Sequence, residues 1–286
     1  MSNQVARDAG WVDPPPRKGF FTDTSVCIGC KACEVACKEW NAVPADGMDL
    51  LGSSYDNSGG LGGSTWRHVK FIEQPAVDLG MPALGPPGGT AEPTDFRWLM
   101  SSDVCKHCTE AACLDVCPTG ALFRTEFGTV VVQEDVCNGC GYCVPACPFG
   151  VIDKRVGEGV KNEGIAQKCT LCYDRLHDGL TPACAKACPT ESIQFGDLDE
   201  LRERAQVRVQ ALQERGVTSA RLYGESPDDG VGGLGAFFLL LDEPEVYGLP
   251  PDPVVTTREL PAMWKRAGLA AAALLAGAVA VFGGGA

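Results

Sequence analysis

Polar and apolar residues alternate along Trp66-Arg67-His68-Val69-Lys70-Phe71-Ile72-Glu73, which predicts a β-strand, and along Phe96-Arg97-Trp98-Leu99-Met100, which predicts a second, shorter one. Ala121-Leu122-Phe123-Arg124 and Thr129-Val130-Val131-Val132, joined through Gly128, carry the signature of a hairpin. Ile193-Gln194-Phe195-Gly196 predicts a further strand, and the unbroken apolar run Phe237 to Leu241 a buried one. The period changes over residues 198–215. There Leu201, Ala205, Val209 and Leu212 share one helical face, Asp197 or Asp199 caps the start, and Gly216 ends it. The Arg and Glu residues of that helix form a solvated opposite face.

Other stretches lack a period. Residues 1–19, with Trp11 and Asp13-Pro14-Pro15-Pro16-Arg17-Lys18, read as an extended arm lying on a partner or on a later domain, or else as a frayed terminus. Residues 45–64 form a Gly- and Ser-rich loop, residues 74–95 a Pro- and Gly-rich connection, and Leu249-Pro250-Pro251-Asp252-Pro253 leads away from the globular part. The final segment, Ala267 to Ala286, is uncharged, follows Trp264-Lys265-Arg266, and is long enough to cross a bilayer. Its many Ala and Gly residues suit close contact with another membrane helix. A helix packed on soluble protein is the alternative. By the positive-inside rule, Lys265 and Arg266 would put the globular part on the cytoplasmic side. No secretory or twin-arginine signal stands in the sequence, so an export address is not expected from this chain itself.

Composition alters this picture. A chain of 286 residues should divide into two or more units, yet it holds 35 Gly and 20 Pro with only 7% aromatic residues. Something other than apolar packing must hold its loops. The 16 cysteines supply it. Cys27, Cys30, Cys33 and Cys37 form C-x2-C-x2-C-x3-C; Cys105, Cys108, Cys113 and Cys117 form C-x2-C-x4-C-x3-C-P. Cys137, Cys140, Cys143 and Cys147 repeat the first spacing and end in Pro148, and Cys169, Cys172, Cys184 and Cys188 form C-x2-C-x11-C-x3-C-P. Three close thiolates followed by a Cys-Pro is the bacterial ferredoxin pattern, in which the fourth cysteine ligates the other cluster of a pair. Four such groups imply four [4Fe-4S] clusters and an electron wire. Zinc would suit only the last group, and a disulfide framework does not need this tight repeat.

Groups two and three are neighbours in sequence and pair. Cys105, Cys108, Cys113 and Cys147 are then expected to hold one cluster, and Cys137, Cys140, Cys143 and Cys117 its neighbour. Groups one and four form the other pair, with Cys27, Cys30, Cys33 and Cys188 on one cluster and Cys169, Cys172, Cys184 and Cys37 on the other. The expected fold is α+β: two ferredoxin-like two-cluster modules, one inserted in the other, with a C-terminal helical anchor. Its divisions are an arm (1–19), module A (20–97 plus 161–200), module B (98–160), a C-terminal extension (201–262) and a membrane helix (263–286). Glycines such as Gly29, Gly139 and Gly141 let the backbone approach the sulfurs. His107 and His177 lie between or near ligands and could tune a potential, although a surface or structural role is the simpler reading. Lys31, Lys106 and Lys168 could offset cluster charge or be solvated surface residues. The formal charge of −13, taken to roughly −21 by about −2 for each oxidised cluster, excludes nonspecific binding to nucleic acid. No substrate pocket or nucleotide-binding GxGxxG is legible, so the chain is not expected to be catalytic by itself.

The stretches FFTDTSVCIGCKACEVACKEWN (Phe20 to Asn41), WRHVKFIE (Trp66 to Glu73), SDVCKHCTEAACLDVCPTGAL (Ser102 to Leu122), CNGCGYCVPACPFGV (Cys137 to Val151) and KCTLCYDRLHDGLTPACAKACPTESIQFG (Lys168 to Gly196) resemble the iron–sulfur, or beta, subunit of respiratory membrane-bound formate dehydrogenases. LDEPEVYGLPPDP (Leu241 to Pro253) resembles the tail of the same subunit. The cysteine blocks alone are shared by many molybdoenzyme electron-transfer subunits. The resemblance implies a catalytic alpha subunit holding a molybdenum or tungsten bis-pyranopterin, and a gamma subunit with haem b that passes electrons to quinone. It implies that the Cys27 cluster faces the catalytic subunit and the Cys137 cluster is the exit. Some relatives replace one group-three cysteine and hold a three-iron cluster; Cys140 is present here, so four-iron cubanes are expected at every site. The resemblance also places the globular part in the periplasm, against the charge argument, and the sequence ends without the polar tail usual after the anchor. The same relay in another molybdoenzyme (a dimethyl sulfoxide, polysulfide or nitrate-type reductase) or in a hydrogenase is the alternative, and a metal-stabilised scaffold without redox duty a second.

Overall fold

The computed structural model describes residues 3–47, 50–52, 55–75, 96–157 and 159–282. A short helix α1 (Gln4–Asp8) opens the chain, capped by the Asn3 side chain, and leads into strand β1 (Lys18–Asp23). Phe20, Phe21 and Thr22 are buried on both faces, as in a central strand rather than an edge. Helix α2 (Ala32–Trp40) follows the first cysteines. Strands β2 (Arg67–Pro75) and β3 (Phe96–Val104) then pair antiparallel along their whole length. The predicted 74–95 connection lies mostly outside the described residues.

The predicted hairpin is present as β4 (Leu122–Arg124) and β5 (Val130–Val132), preceded by helix α3 (Ala112–Asp115) and followed by α4 (Cys143–Ala146). A small ladder joins β6 (Asp153–Lys154) to β7 (Ala166–Gln167), across the module boundary expected at residue 160. Helices α5 (Tyr173–His177) and α6 (Ala183–Lys186) carry the last cysteines, and β8 (Ile193–Asp197) and α7 (Leu198–Glu214) follow as the pattern predicts. Asp197 occupies the N-cap position of α7, but its carboxylate pairs with Lys18 instead of capping.

Strands β9 (Arg221–Tyr223) and β10 (Ala236–Leu240) complete one sheet in the order β8-β1-β10-β9. β10 is parallel to β1, and the other two pairings are antiparallel. Close approach here needs Gly19, where a Cβ would stand 2.3 Å from the Gly235 carbonyl oxygen. Helix α7 buries Leu198, Leu201 and Ala205 against Phe21, Phe237 and Leu239 in a core that is mostly free of cysteine. Every cysteine lies between β1 and β8, so the two ends of the chain build the sheet and the cysteine groups hang from it.

Two expectations are corrected. The arm is not simply extended, because α1 forms and Asn3 donates to the carbonyls of Pro15 (2.9 Å) and Glu126 (2.7 Å), docking it on the hairpin loop. Within the C-terminal extension, the strand expected at Phe237 to Leu241 forms as β10 and lies beside β1. Leu249 to Pro253 does not lead away: Leu249 and Val255 are buried, and Tyr223 donates to the Pro250 carbonyl (2.6 Å). The backbone departs only afterwards, as helix α8 (Leu260–Phe282). Its window Ala262–Val279 is long and apolar enough to cross a membrane and is 0% buried.

Candidate metal centres

The four cysteine groups do not close on themselves. Cys27, Cys30 and Cys33 line one cavity together with Cys188 (site one). Cys105, Cys108 and Cys113 line another with Cys147 (site three), and Cys137, Cys140 and Cys143 line a further one with Cys117 (site four). Cys37 is left facing Cys169, Cys172 and Cys184 (site two), whose charges act on its thiol. Asn41 Nδ2 bridges this set, 3.7 Å from Cys37 Sγ and 3.9 Å from Cys172 Sγ. Packing explains the exchange. In α2, Cys33 and Cys37 lie one turn apart and so reach different cavities, and α6 packs beside α2 with Cys184 on its first turn and Cys188 just past its end.

The backbone is bent to present these thiols. Gly29, Gly139 and Gly141 all adopt positive φ, and at Gly29 (φ +65°) a Cβ would meet the Phe71 ring at 2.7 Å and Met100 Sδ at 2.8 Å. Lys31, His107, Leu171 and Cys172 take the left-handed region despite their side chains, with φ of 58°, 44°, 58° and 50°. Strain of this kind is found where a ligand loop must turn its amides inward. The Leu171 N–H donates to Cys169 Sγ at 3.3 Å.

Burial pushes most of these thiols up. Cys113 is raised to about 12 and Cys143 to about 11, in each case by burial first; Cys37 and Cys108 lie well above the ordinary range for the same reason, reinforced by neighbouring thiols. Cys117 goes the other way. It is little buried, and the Leu122 backbone N–H and the Thr119 side chain favour its thiolate more than that burial opposes it. A metal that binds the raised thiols must displace their protons.

Of the two readings open for the lysines beside the ligands, burial favours charge compensation over a solvated surface place for Lys106 and Lys168. Lys106 and Lys168 are 1% and 2% exposed. Lys106 pairs with Asp103, whose pKa is lowered because Lys106 and Lys70 outweigh its burial. Lys168 donates to the carbonyls of Val130 and Cys169. Lys31, half-buried, pairs with Glu34 and Asp56. His107 is buried, and burial together with Lys168 and Arg124 holds its pKa well below the ordinary value; His177 is exposed. Arg67 was missed altogether. It is 1% exposed, donates to Ser102 Oγ (3.0 Å) and lies 4.9 Å from the Phe20 ring centroid. Burial alone would depress its pKa, but the thiols of Cys184, Cys33, Cys169 and Cys37 raise it above the ordinary value. An arginine in an alternating strand gives no sequence signal for such a place.

Electrostatic neighbours arrange the sites in a row. Cys33 of site one feels Cys184 of site two, Cys169 of site two feels Cys105 of site three, and Cys113 of site three feels Cys143 of site four. Among the described residues, the only exposed cysteines are Cys30 and Cys140, which belong to the two end sites.

This donor set fits iron–sulfur clusters. Sites one, three and four each offer four thiols around a mostly apolar volume, and no group of three Cys, His, Asp or Glu able to hold a single metal ion is present among the described residues. Buried cations close by would offset cluster charge. When bound, a [4Fe-4S] cluster accepts and releases one electron without changing its ligands.

Residues 26–121 and residues 96–198 each match a family described as a 4Fe-4S dicluster domain. Two such ferredoxin-like domains and the 16 cysteines give the protein four [4Fe-4S] clusters. Over 266 residues the sequence is 39% identical to the nitrate-inducible formate dehydrogenase iron–sulfur subunit of Escherichia coli (strain K12), covering 92% of this protein and 81% of that one. It is 40% identical over 237 residues to the formate dehydrogenase iron–sulfur subunit of Haemophilus influenzae, covering 82% and 68%. A subunit of the anaerobic dimethyl sulfoxide reductase of Escherichia coli (strain K12) is 36% identical over 187 residues, covering 65% of this protein and 76% of that one.

Proposed function

This chain belongs to the formate dehydrogenase iron–sulfur subunits, non-catalytic electron-transfer subunits, and we propose that it carries electrons from a formate-oxidising molybdenum or tungsten subunit toward a membrane acceptor. The observation that carries this reading is the row of sites with an exposed cysteine at each end, Cys30 on site one and Cys140 on site four. Electron tunnelling falls steeply with distance, so a relay needs such a row and an open approach at both ends.

In this reading the ligand sets are the four that share a site. Cys27, Cys30, Cys33 and Cys188 hold the first cluster; Cys37, Cys169, Cys172 and Cys184 the second. Cys105, Cys108, Cys113 and Cys147 hold the third; Cys117, Cys137, Cys140 and Cys143 the fourth. The chain's own residues bind the clusters, exclude water from the two inner ones and surround them with fixed positive charge. The module of groups two and three is inserted between the halves of the other, a reading supported by the pairing of β1 with β8 and of α2 with α6 across it. Site one faces the catalytic subunit. Site four faces the membrane, where α8 anchors the chain beside a cytochrome b subunit that delivers electrons to quinone.

The 36% identity to a dimethyl sulfoxide reductase subunit supports a second reading, the same relay beside a different molybdoenzyme. Purification of the tagged protein from anaerobically grown cells, with peptide identification of what comes with it, separates them. A molybdopterin subunit that oxidises formate is expected; one that reduces a sulfoxide and ignores formate would favour the second.

A further inference from the structure

His107 stands between Cys105 and Cys108 and lines the cavity of site three with them. Its ring is held on one side only. The Val130 backbone N–H donates to His107 Nδ1 at 3.1 Å. An amide N–H has nothing to accept with, so Nδ1 must offer its lone pair, and the ring proton resides on Nε2. That Nε2 is buried and has no hydrogen-bond partner in the protein.

The loop that carries the ring is fixed in place. Arg17 Nη2 and the Gly235 N–H both donate to the His107 carbonyl, at 2.8 and 3.3 Å, and the Ala236 N–H donates to the Lys106 carbonyl at 2.9 Å. The loop is thereby fastened to the start of β10, with His107 itself in the left-handed region at φ +44°. The neighbouring buried cation, Lys168, directs its ammonium at the carbonyls of Val130 and Cys169. A buried donor without an acceptor is rare in a folded protein and marks the place of a group the chain alone does not supply.

We propose that His107 donates its Nε2 hydrogen to a sulfur of the cluster held by Cys105, Cys108, Cys113 and Cys147, and so raises the reduction potential of that one cluster. The inference rests on the ligand set given above for site three. A donor to sulfur stabilises the reduced cluster more than the oxidised one, because the reduced cluster carries the extra negative charge. His68 and His177 have no such role: the His68 Nε2 hydrogen goes to Asp56 at 2.6 Å, so its buried, unpartnered Nδ1 offers a lone pair and not a hydrogen, and His177 is exposed.

His107→Asn tests this. Asn tolerates the left-handed region, and its Oδ1 can accept from Val130 in place of Nδ1, but it puts no donor at the Nε2 position. The complex purified without oxygen is assayed for iron and sulfide, then titrated electrochemically with the cluster signals followed by electron paramagnetic resonance. We expect full iron content, one midpoint potential lowered by about tenfold in the reduction equilibrium (about 59 mV for one electron), and the others unmoved. Unchanged potentials throughout, at full iron content, would overturn the proposal. Should the variant lose the cluster, pulsed resonance on the wild-type complex labelled with 15N-histidine decides. A nitrogen coupling and an exchangeable proton on a reduced cluster of this chain support the bond, and their absence overturns it. Wild-type protein lacking iron at site three would overturn the ligand set, and the role of His107 with it.

Discussion

Arg67 occupies a strand position at which an alternating pattern would put a charge in water, yet it is buried among the thiols of sites one and two. A full charge there favours the reduced, more negative state of both clusters. Replacing it by Met keeps the length and apolar stem but removes the charge. Redox titration of the anaerobic Arg67→Met complex should show two potentials lowered, each on the order of tenfold in the reduction equilibrium, about 59 mV. Two unchanged potentials at full iron content would show that the charge is compensated elsewhere. At this scale the cysteine groups were legible and the burial of Arg67 beside them was not. Cysteine spacing reports a geometric demand directly, and Gly29 with its positive φ reports another. Lys106 and Lys168 adjoin ligands, so charge compensation was legible for them only as one of two readings, whereas Arg67 looks like an ordinary surface cation, because nothing local tells a cation that neutralises buried thiolates from one that meets solvent.

Elements with a local signal were also legible: β2, β4, β5, β8 and α7 lie where the sequence puts them, while β3 runs on past Met100 to Val104 because it pairs with β2 along its whole length. What alternation cannot reveal is long-range pairing. The apolar run at β10 reads as buried, but its parallel register with β1, Phe20 to Ala236 and onward, depends on Gly19 and Gly235 meeting across a separation of most of the chain. The sheet and α7 have their own apolar core, including Phe21, Leu201, Phe237 and Leu240, whereas the core beneath α2 and α6 includes Cys33, Cys37, Cys169 and Cys184. Removal of iron by an anaerobic chelator should therefore leave hydrogen-exchange protection in β1, β10 and α7 and abolish it in α2, α5 and α6. Equal loss in both regions would mean that the sheet has no independent stability. Helix α8 is separable in another sense, since its apolar window buries nothing in this chain. Deleting residues 260–286 should keep the clusters and formate oxidation with a soluble dye, while membrane association and transfer to quinone fall. Lost dye reduction with all iron retained would contradict its role as a tether.

Across the whole molecule, a formal charge of −13 gathers further negative charge when the clusters are in place. Buried Arg67 counters it at sites one and two and buried Lys106 and Lys168 at site three, while the outer sites reach solvent through Cys30 and Cys140. Metal and sulfide analysis of the anaerobic protein should find about 16 iron and 16 labile sulfide, four of each per cubane. Stoichiometric zinc instead would remove the redox role. The central claim, that these sites receive electrons derived from formate, is tested most directly by mixing the oxidised anaerobic complex with formate, freezing it within a turnover, and counting cluster spins by low-temperature electron paramagnetic resonance. The account predicts reduced [4Fe-4S] signals from this subunit as fully as its potentials allow, lost when the catalytic subunit is inhibited. Clusters that stay oxidised with formate but are reduced by dithionite would contradict it.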